Sequence, residues 1–224
     1  MSIARVTMKI GTQKPIGDPN MPEPQLQSSP ESIEFWFDFG SNYSYLSVMR
    51  VVEQGIDVRW QPFLLGPVFQ SFGWANSPFV LQKEKGEYVW HDMERQCRKY
   101  SIPWRKPTQF PRLGVLPLRI MLVGEGQPWA GKFARRVMLR NFHLDQEIQS
   151  SEAMASILAE LNLPVAEILA KAQDDAIKAR LREQTDTAIR RKVFGAPMFF
   201  AKSEMFWGND RLEDALRFAA EAES

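Results

Sequence analysis

Residues 33–46 read IEFWFDFGSNYSYL, and this stretch decides how the rest of the chain is organised. Residues 33–39 are mostly apolar and aromatic, which predicts a strand buried on both faces inside an α/β sheet. The glycine that follows ends the strand, and apolar residues then recur at helical spacing from Tyr43 to Gln54. Ser41 or Asn42 is therefore the expected N-cap of the helix.

A hydroxyl at this position admits two interpretations. A helix N-terminus offers unpaired backbone N–H groups and the positive end of the helix dipole, and together they favour an anion. Taken alone, however, a serine here is more often a capping residue with no further role. The rest of the chain has to decide between a cap and a site.

Composition excludes several classes of function. Among 224 residues, 44% are hydrophobic, and 28 Lys plus Arg against 27 Asp plus Glu leave a net charge of +1. No global field therefore attracts nucleic acid or an anionic membrane. Cys97 is the single cysteine, which rules out an internal disulfide and dithiol chemistry. His91 and His143 lie far apart, so no metal site is predicted.

The sequence shows no recognisable targeting or membrane-spanning segment. No apolar run approaches the length of a membrane span, and residues 1–30 lack the apolar core of a secretory signal. We therefore expect a cytoplasmic protein. Residues 1–30 are rich in proline, glycine, glutamine and serine, which predicts a flexible tail.

Beyond the first helix, Ile56–Trp60 alternates as a second strand should, which completes a β-α-β unit with parallel strands. The segment Phe63–Arg112 is interrupted by repeated X-Pro pairs, and only Glu87–Tyr100 is predicted to be helical within it. Helical patterns then follow over residues 116–123, 131–142, 151–161, 165–171 and 174–193.

The C-terminal part returns to sheet. Met198–Ala201 and Met205–Trp207 are short apolar runs joined by a tight turn, so they are expected to pair antiparallel. A closing helix is predicted from Arg211 to Ala220, and Pro197 directly precedes the third strand. The order is thus β-α-β, a large helical block, then β-β-α.

That order, with a proline before the third strand, resembles a thioredoxin-like fold that carries an inserted helical domain. Residues 37–46, FDFGSNYSYL, resemble the Phe-Asp-Phe-x-Ser-Pro-Tyr-x-Tyr-Leu signature of the 2-hydroxychromene-2-carboxylate isomerases and kappa-class glutathione transferases. Further similar stretches are PFLLG at 62–66, KVFGAP at 192–197 and WGNDRL at 207–212. Only residues 1–30 fall outside the resemblance.

The resemblance implies a division of the chain. Residues 31–65 and 191–224 would form the thioredoxin-like domain, residues 66–190 the inserted all-helical domain, and residues 1–30 the tail. It also implies a homodimer.

Glutathione is the cofactor that the resemblance implies. Ser41 stands where the disulfide oxidoreductases have their reactive cysteine, and the sulfur would come from bound glutathione instead. Ser41 would donate a hydrogen bond to that sulfur, and with the helix N-terminus it would lower the thiol pKa from about 8.5 towards neutrality. No His or Lys lies beside Ser41 in sequence, so it is expected to stabilise a thiolate rather than act as a nucleophile. Asn42 and Tyr43 belong to the same implied site.

Other glutathione contacts are implied at a distance in sequence. Ala196, before an expected cis Pro197, would pair with the cysteinyl backbone of glutathione as an added strand does. The remaining positions match residues around the γ-glutamyl end or, less directly, in the inserted domain: Trp207, Gly208, Asn209, Asp210, Asn76 and Lys85. Without the resemblance, Asn209-Asp210 reads equally well as an ordinary N-cap, and Lys85 as a solvated lysine.

The chain departs from the family pattern in two places. Asn42 replaces the proline of the signature, which a helix start should tolerate. On the substrate side, Pro67-Val68-Phe69 stands where the isomerases have a lysine, and Phe110 lies near their tyrosine. The hydroxychromene substrate itself is therefore in doubt. Aromatic residues are instead expected to line an apolar pocket: Phe69, Trp74, Trp104 and Phe110.

Three functions remain open from the sequence. The leading one is a glutathione-dependent isomerase, in which a thiolate adds to a conjugated aromatic keto acid, a bond rotates and glutathione leaves unchanged, as in aromatic compound catabolism. The second is a kappa-like transferase or peroxidase that consumes glutathione. The third is a glutathione-binding or protein-binding module without turnover.

Overall fold

A computed structural model describes residues 33–221, so the predicted tail 1–30 lies outside the described residues. This part of the chain forms four strands and ten α-helices. They are, in order, β1 (Ile33–Phe37), α1 (Asn42–Glu53), β2 (Val58–Pro62), α2 (Leu65–Ser71), α3 (Pro78–Leu81), α4 (Lys83–Lys99), α5 (Val115–Val123), α6 (Ala130–Phe142), α7 (Ser151–Glu160), α8 (Val165–Gln173), α9 (Asp175–Arg190), β3 (Met198–Ala201), β4 (Glu204–Trp207) and α10 (Leu212–Ala220), with a 3₁₀ turn at Asn209–Arg211 between the last two.

The sheet has the order β2-β1-β3-β4. β1 runs parallel to β2 and antiparallel to β3, and β3 pairs antiparallel with β4. Phe35 lies at the centre, opposite Trp60 on one neighbour and Phe199 on the other. The parallel pair joined through α1 and the antiparallel hairpin at the end are those predicted from the sequence.

The bounds of three elements differ from those predicted. β1 ends at Phe37 rather than residue 39, because both carboxylate oxygens of Asp38 accept from backbone N–H groups outside the sheet, those of Gly40 and Leu65. β2 runs over 58–62 and not 56–60, in register with β1. The ninth helix stops at Arg190, three residues before the predicted end.

The segment 63–112 is more regular than the sequence indicated. α2 was missed because Gly66-Pro67 reads as a turn, yet Pro67 lies in the first turn of the helix, where proline is tolerated. α3 likewise begins at Pro78, after the capping hydroxyl of Ser77. α4 starts at Lys83, four residues before the predicted helix.

The core joins the sheet to the helical segment. One cluster of buried residues runs from Phe35 and Phe37 through Leu46 on α1 to Leu118 on α5 and Phe133 on α6. A smaller cluster lies on the other face of the sheet around Trp36. The packing of α1 in the first cluster fixes the orientation of this helix. As a result, the first turn of α1 lines a cavity of about 780 Å³.

Candidate active site

Ser41 is the N-cap of α1, as predicted, and it carries two hydrogen bonds. Its Oγ accepts from the backbone N–H of Ser44 at 3.2 Å, which is the capping bond. The same hydroxyl donates to the carbonyl oxygen of Ala196 at 2.9 Å, across 155 residues of sequence. The hydroxyl proton therefore points at the loop before β3, and rotation about the Cβ–Oγ bond would redirect it to another acceptor without breaking the capping bond.

The peptide bond between Ala196 and Pro197 is cis, as the sequence resemblance predicted. The carbonyl of Pro197 accepts from Gly208 N at 3.1 Å, which ties this loop to the end of β4. Within the described part of the chain, nothing accepts from the N–H of Ala196. Since Ala196 also lines the cavity, that backbone donor is available to an extended peptide-like ligand.

Asn42 and Tyr43 follow in the first turn of α1 and both line the cavity. Asn42 Oδ1 accepts from the N–H of Tyr43 at 3.0 Å. The Tyr43 hydroxyl donates to Asp92 on α4 at 2.8 Å, and burial together with that carboxylate raises the pKa of Tyr43. Tyr43 is thus a neutral phenol whose hydroxyl links the helix start to the inserted segment.

Asn209 is held by a buried arginine. Arg50, whose side chain is 3% exposed, donates to the carbonyl of Asn209 at 2.7 Å and to its Oδ1 at 3.1 Å. The Ser47 hydroxyl donates to the same Oδ1 at 3.2 Å. Because its acceptor atoms are used internally, Asn209 can offer a ligand only its amide N–H groups.

The residues around Asn209 complete one wall of the cavity. Gly208 has a φ of +111°, a conformation that favours glycine, and a Cβ there would come within 2.6 Å of the Asp210 carboxylate. Asp210 is exposed and lies 3.6 Å from Arg211. Trp207, 55% exposed, packs against Phe194 with ring centroids 5.0 Å apart. All of them line the cavity.

Asp38 is a site residue that the sequence analysis did not single out. It is buried at the cavity wall and accepts from Gly40 N at 2.7 Å and from Leu65 N at 2.8 Å. Burial raises the pKa of this carboxyl, and the two backbone donors oppose that rise. Asp38 therefore fastens the loop before Ser41 to the first residue of α2.

The cavity has a volume of about 780 Å³, within the size range of small-molecule sites. Its far side is built by apolar side chains of the segment 63–114, among them Phe69, Trp74, Phe79, Phe110 and Leu113. Three cations reach the lining. Arg112 and Arg211 form ion pairs with carboxylates, whereas Lys85 forms none within the described range 33–221.

Two residues predicted for this region lie elsewhere. Asn76 is exposed between α2 and α3, outside the cavity lining, and its Oδ1 accepts from Ser77 N at 2.7 Å. Trp104 packs against Tyr45, Trp90 and Phe142 instead of lining the pocket. Phe69, Trp74 and Phe110 do line the cavity, as expected.

The loop that carries Phe110 is anchored from behind. Arg112 donates to Asn141 Oδ1 at 3.0 Å and to Asp145 Oδ1 at 2.5 Å, and the Arg112 and Asp145 side chains are each 7% exposed. Asn141 in turn donates to the carbonyl of Phe39 at 2.9 Å. A Cβ on Gly40 would approach the Arg112 carbonyl to 2.9 Å. The loop thus lies directly over the turn before Ser41.

Sequence reasoning missed Asp38, Arg50 and Arg112, although each left a signal. All three are charged residues inside apolar surroundings: Asp38 between two phenylalanines, Arg50 in SVMRVV and Arg112 between proline and leucine. A buried charge requires a partner. The partners of Arg50 and Arg112 are distant in sequence, so the signal could mark the residues without identifying their contacts.

Cys97 and His91, two titratable residues considered from the sequence, do not line the cavity. Burial raises the pKa of the Cys97 thiol to about 12, which agrees with a structural cysteine. His91 is exposed on α4. Between residues 33 and 221, no cluster of three or more His, Cys, Asp or Glu side chains could hold a metal ion. Within that same range, no helix has the length and apolar character needed to cross a bilayer.

Comparison with known proteins places this geometry in a family. The family described as DSBA-like thioredoxin domain matches residues 32–218. The chain is 30% identical over 194 residues to a 2-hydroxychromene-2-carboxylate isomerase of Pseudomonas putida, covering 80% of this chain and 90% of the relative. It is 25% identical over 203 residues to glutathione S-transferase kappa 1 of Rattus norvegicus, covering 83% and 89%.

A solved structure agrees. That of a 2-hydroxychromene-2-carboxylate isomerase superposes with a TM-score of 0.74 at 26% identity, covering 83% of this chain and 94% of the other. The chain belongs to the DsbA-like thioredoxin family. Within it, the chain groups with the 2-hydroxychromene-2-carboxylate isomerases and kappa-class glutathione transferases, which confirms the resemblance, the fold class and the assignment as an isomerase-type enzyme.

Proposed function

We propose that the cavity binds glutathione along its sheet side and uses it to isomerise an aromatic, conjugated keto acid. The observation that carries the proposal is the contact between Ser41 at the N-terminus of α1 and the carbonyl of Ala196 before the cis proline. This contact brings a hydroxyl donor, a helix N-terminus and an open backbone edge to one point of the cavity.

The residues present fit glutathione on their own chemistry. Among residues 33–221, the N–H of Ala196 is unpaired and its carbonyl accepts only from the Ser41 hydroxyl, so a peptide backbone can pair there as an added strand. At the far end of the same wall, Asn209 offers amide N–H groups to a carboxylate. Asp210 offers an exposed carboxylate to an ammonium group.

When bound, glutathione would supply a thiolate that adds reversibly to a conjugated bond and leaves after rotation. The contribution of Ser41 is to hold that sulfur ionised. Its hydroxyl leaves the Ala196 carbonyl and donates to the sulfur, while the Ser44 N–H continues to hold the Oγ in place. The positive end of α1 favours the same charge state.

The far side of the cavity suits the second reactant. Phe69, Phe79 and Phe110 offer an apolar surface for an aromatic ring, and they exclude water from it. Lys85, which has no ion pair among the described residues, is the cation we assign to the substrate carboxylate. This assignment answers the loss of the family's lysine after Leu65, because another lysine reaches the same cavity.

A second function has its own support. Phe110 itself supplies no hydroxyl at the position where the isomerases have tyrosine, and Trp207 on the cavity wall is 55% exposed. Such a wall also suits a neutral electrophile that is conjugated to glutathione, as kappa-class relatives would. Disappearance of glutathione under turnover distinguishes the two, because the isomerase returns it unchanged.

The homodimer and the cytoplasmic location stay predictions.

The decisive experiment compares the unaltered protein with Ser41→Ala. Titration with glutathione at pH 7 should give thiolate absorbance in the unaltered protein and none in the variant. Isomerase kcat should fall by about 10²–10³-fold, as on removal of one preorganised donor from an anion site. Loss of thiolate without loss of binding would assign Ser41 to the sulfur.

Ser150→Ala is the matched control. Ser150 caps α7 by accepting from Ala153 N at 3.1 Å, far from the cavity lining. Both variants lose an N-cap, which costs about 1 kcal/mol of stability. Only Ser41→Ala should lose the thiolate signal. Equal loss in both variants, or no binding to the unaltered protein, would refute the proposal.

A further inference from the structure

Asn42, the first residue of α1, has donors that the fold does not use. Its Oδ1 accepts from Tyr43 N, but its Nδ2 is buried and has no hydrogen-bond partner among the described residues. The residue is 1% exposed and lines the cavity. Within residues 33–221, nothing accepts from its backbone N–H either. Two donors are therefore unpaired directly beside Ser41.

The backbone at this point would accept proline, the residue of the family signature. Ser41 has φ −85° and ψ 118°, the extended region that a residue before proline prefers. Position 42 is the first of the helix, where proline is favoured, and the N–H that proline would remove has no internal acceptor. Apart from the hydrogen bond from Tyr43 N to its Oδ1, the fold gives no reason for asparagine here.

The asparagine is also unfavourable in the absence of a ligand. The buried, unpaired Nδ2 loses its hydrogen bonds to water and gains none within the described residues. Such a group is retained where an occupant of the site uses it. The occupant must be an acceptor or an anion, since the atoms left over at Asn42 are all N–H donors.

We infer that Asn42 is a second stabiliser of the anionic sulfur, an inference that rests on the glutathione function proposed above. Its backbone N–H donates to the sulfur beside the Ser41 hydroxyl, and its unpaired carboxamide N–H groups add positive potential to the same helix start. Hydrogen bonds to an anion are stronger than those to a neutral acceptor, so the added donor favours thiolate over thiol. A chain with proline at this position lacks the backbone donor.

The test measures the pKa of the bound glutathione thiol from thiolate absorbance against pH. The proteins compared are the unaltered chain, Asn42→Pro and Asn42→Ala. Asn42→Pro removes both donors and should raise the bound thiol pKa by about one unit, the scale of one hydrogen bond to an anion. Asn42→Ala keeps the backbone N–H and should raise it by less. Asn42→Pro is expected to fold, since the backbone already suits it.

S-methylglutathione provides the control ligand because it has no ionisable thiol. Its affinity should be the same for all three proteins, whereas a merely structural role for Asn42 would weaken both ligands alike. An unchanged thiol pKa in Asn42→Pro, with thiolate still formed, would overturn the inference and leave the glutathione function standing. Absence of thiolate in the unaltered protein would instead remove both.

Discussion

The sheet side and the helical side of the cavity differ in how their atoms are partnered. On the sheet side, Ser41, Ala196 and Asn209 present backbone and side-chain groups that are oriented by hydrogen bonds within the fold. On the helical side, residues such as Phe79 and Phe110 present mostly apolar surface, with Lys85 as the cation assigned to a substrate carboxylate. The sheet side is therefore suited to orient a ligand by directed hydrogen bonds, whereas the helical side is suited to select it mainly by shape.

The helical side also has polar groups behind its surface. Arg112, Asn141 and Asp145 form a buried network that holds the Phe110 loop over the turn before Ser41. On the sheet side, Arg50 has the corresponding position behind Asn209. Each side thus has a buried arginine whose hydrogen bonds hold part of the cavity wall in place. Removing either arginine should affect one reactant and spare the other.

The largest effect is expected from Arg112→Met. Four hydrogen bonds of a buried guanidinium disappear, so we expect the free energy of unfolding to fall by about 3 kcal/mol. In the folded enzyme the Phe110 loop loosens, which should raise KM for the aromatic substrate and leave the Kd of glutathione unchanged. Denaturant titration and steady-state kinetics measure the two effects.

Arg105→Met is the control for that experiment. Arg105 lies in the same connection between α4 and α5 but is exposed, and its side chain forms no ion pair with the described residues. Exposed substitutions of this kind usually change stability by less than about 0.5 kcal/mol. A loss in Arg105→Met as large as in Arg112→Met would contradict the role of the buried network.

A smaller effect, on glutathione binding rather than on the aromatic substrate, is expected from Arg50→Met. The variant loses the bonds to Asn209 and the stacking of the guanidinium 4.3 Å above the Tyr100 ring, which should lower the free energy of unfolding by about 2 kcal/mol. Asn209 is then free to reorient. The Kd of glutathione should rise about tenfold, equivalent to 1.4 kcal/mol, with KM for the aromatic substrate unchanged.

Calorimetry with glutathione measures that change, and Arg59→Met is its control. Arg59 is an exposed arginine whose ion pair with Glu34 lies on the surface, where such pairs contribute little. If Arg50→Met and Arg112→Met both raised the Kd of glutathione, or both raised the KM for the aromatic substrate, the two sides of the cavity would not be separate functional surfaces.

The same contrast explains what the sequence could reveal. Ser41 and the strand before it follow from local pattern alone, because a buried strand, a glycine and a cap lie within ten residues. The cis Pro197 and the loop at Asn209 came from resemblance, since nothing local distinguishes a site from a turn there. The assignment of Asn76 to the site came the same way, and the structure does not bring that residue to the cavity.

The supporting arginines could not be derived from sequence because their contacts depend on topology. Arg50 meets Asn209 across 159 residues, and Arg112 meets Asp145 across 33. α2 was missed for a different reason: proline in a first turn and proline in a loop look identical without knowledge of the preceding backbone. In the structure, Asp38 fixes the backbone at the start of α2, because its carboxylate accepts from the N–H of Leu65, the first residue of that helix.

The smallest effect expected is a pH dependence from the network behind the helical side. The hydrogen bond from Arg112, followed by the Thr108 backbone N–H, lowers the pKa of Asp145 from 3.8 to about 2. Because the carboxyl pKa is depressed in the folded state, its contribution to stability is complete above the unfolded pKa of about 3.9 and is lost as the pH falls towards 2.

The measurement is the difference in unfolding free energy between the unaltered protein and Asp145→Asn from pH 6 to pH 2. This difference should be constant down to about pH 4 and then shrink. In an Arg112→Met background the shrinkage should weaken, because the group that lowers the pKa is gone. A difference that stayed constant to pH 2 in both backgrounds would show that the pair does not hold the helical wall through charge. The stability loss in Arg112→Met would then reflect the hydrogen bonds to Asn141 and to the backbone carbonyl of Asp145.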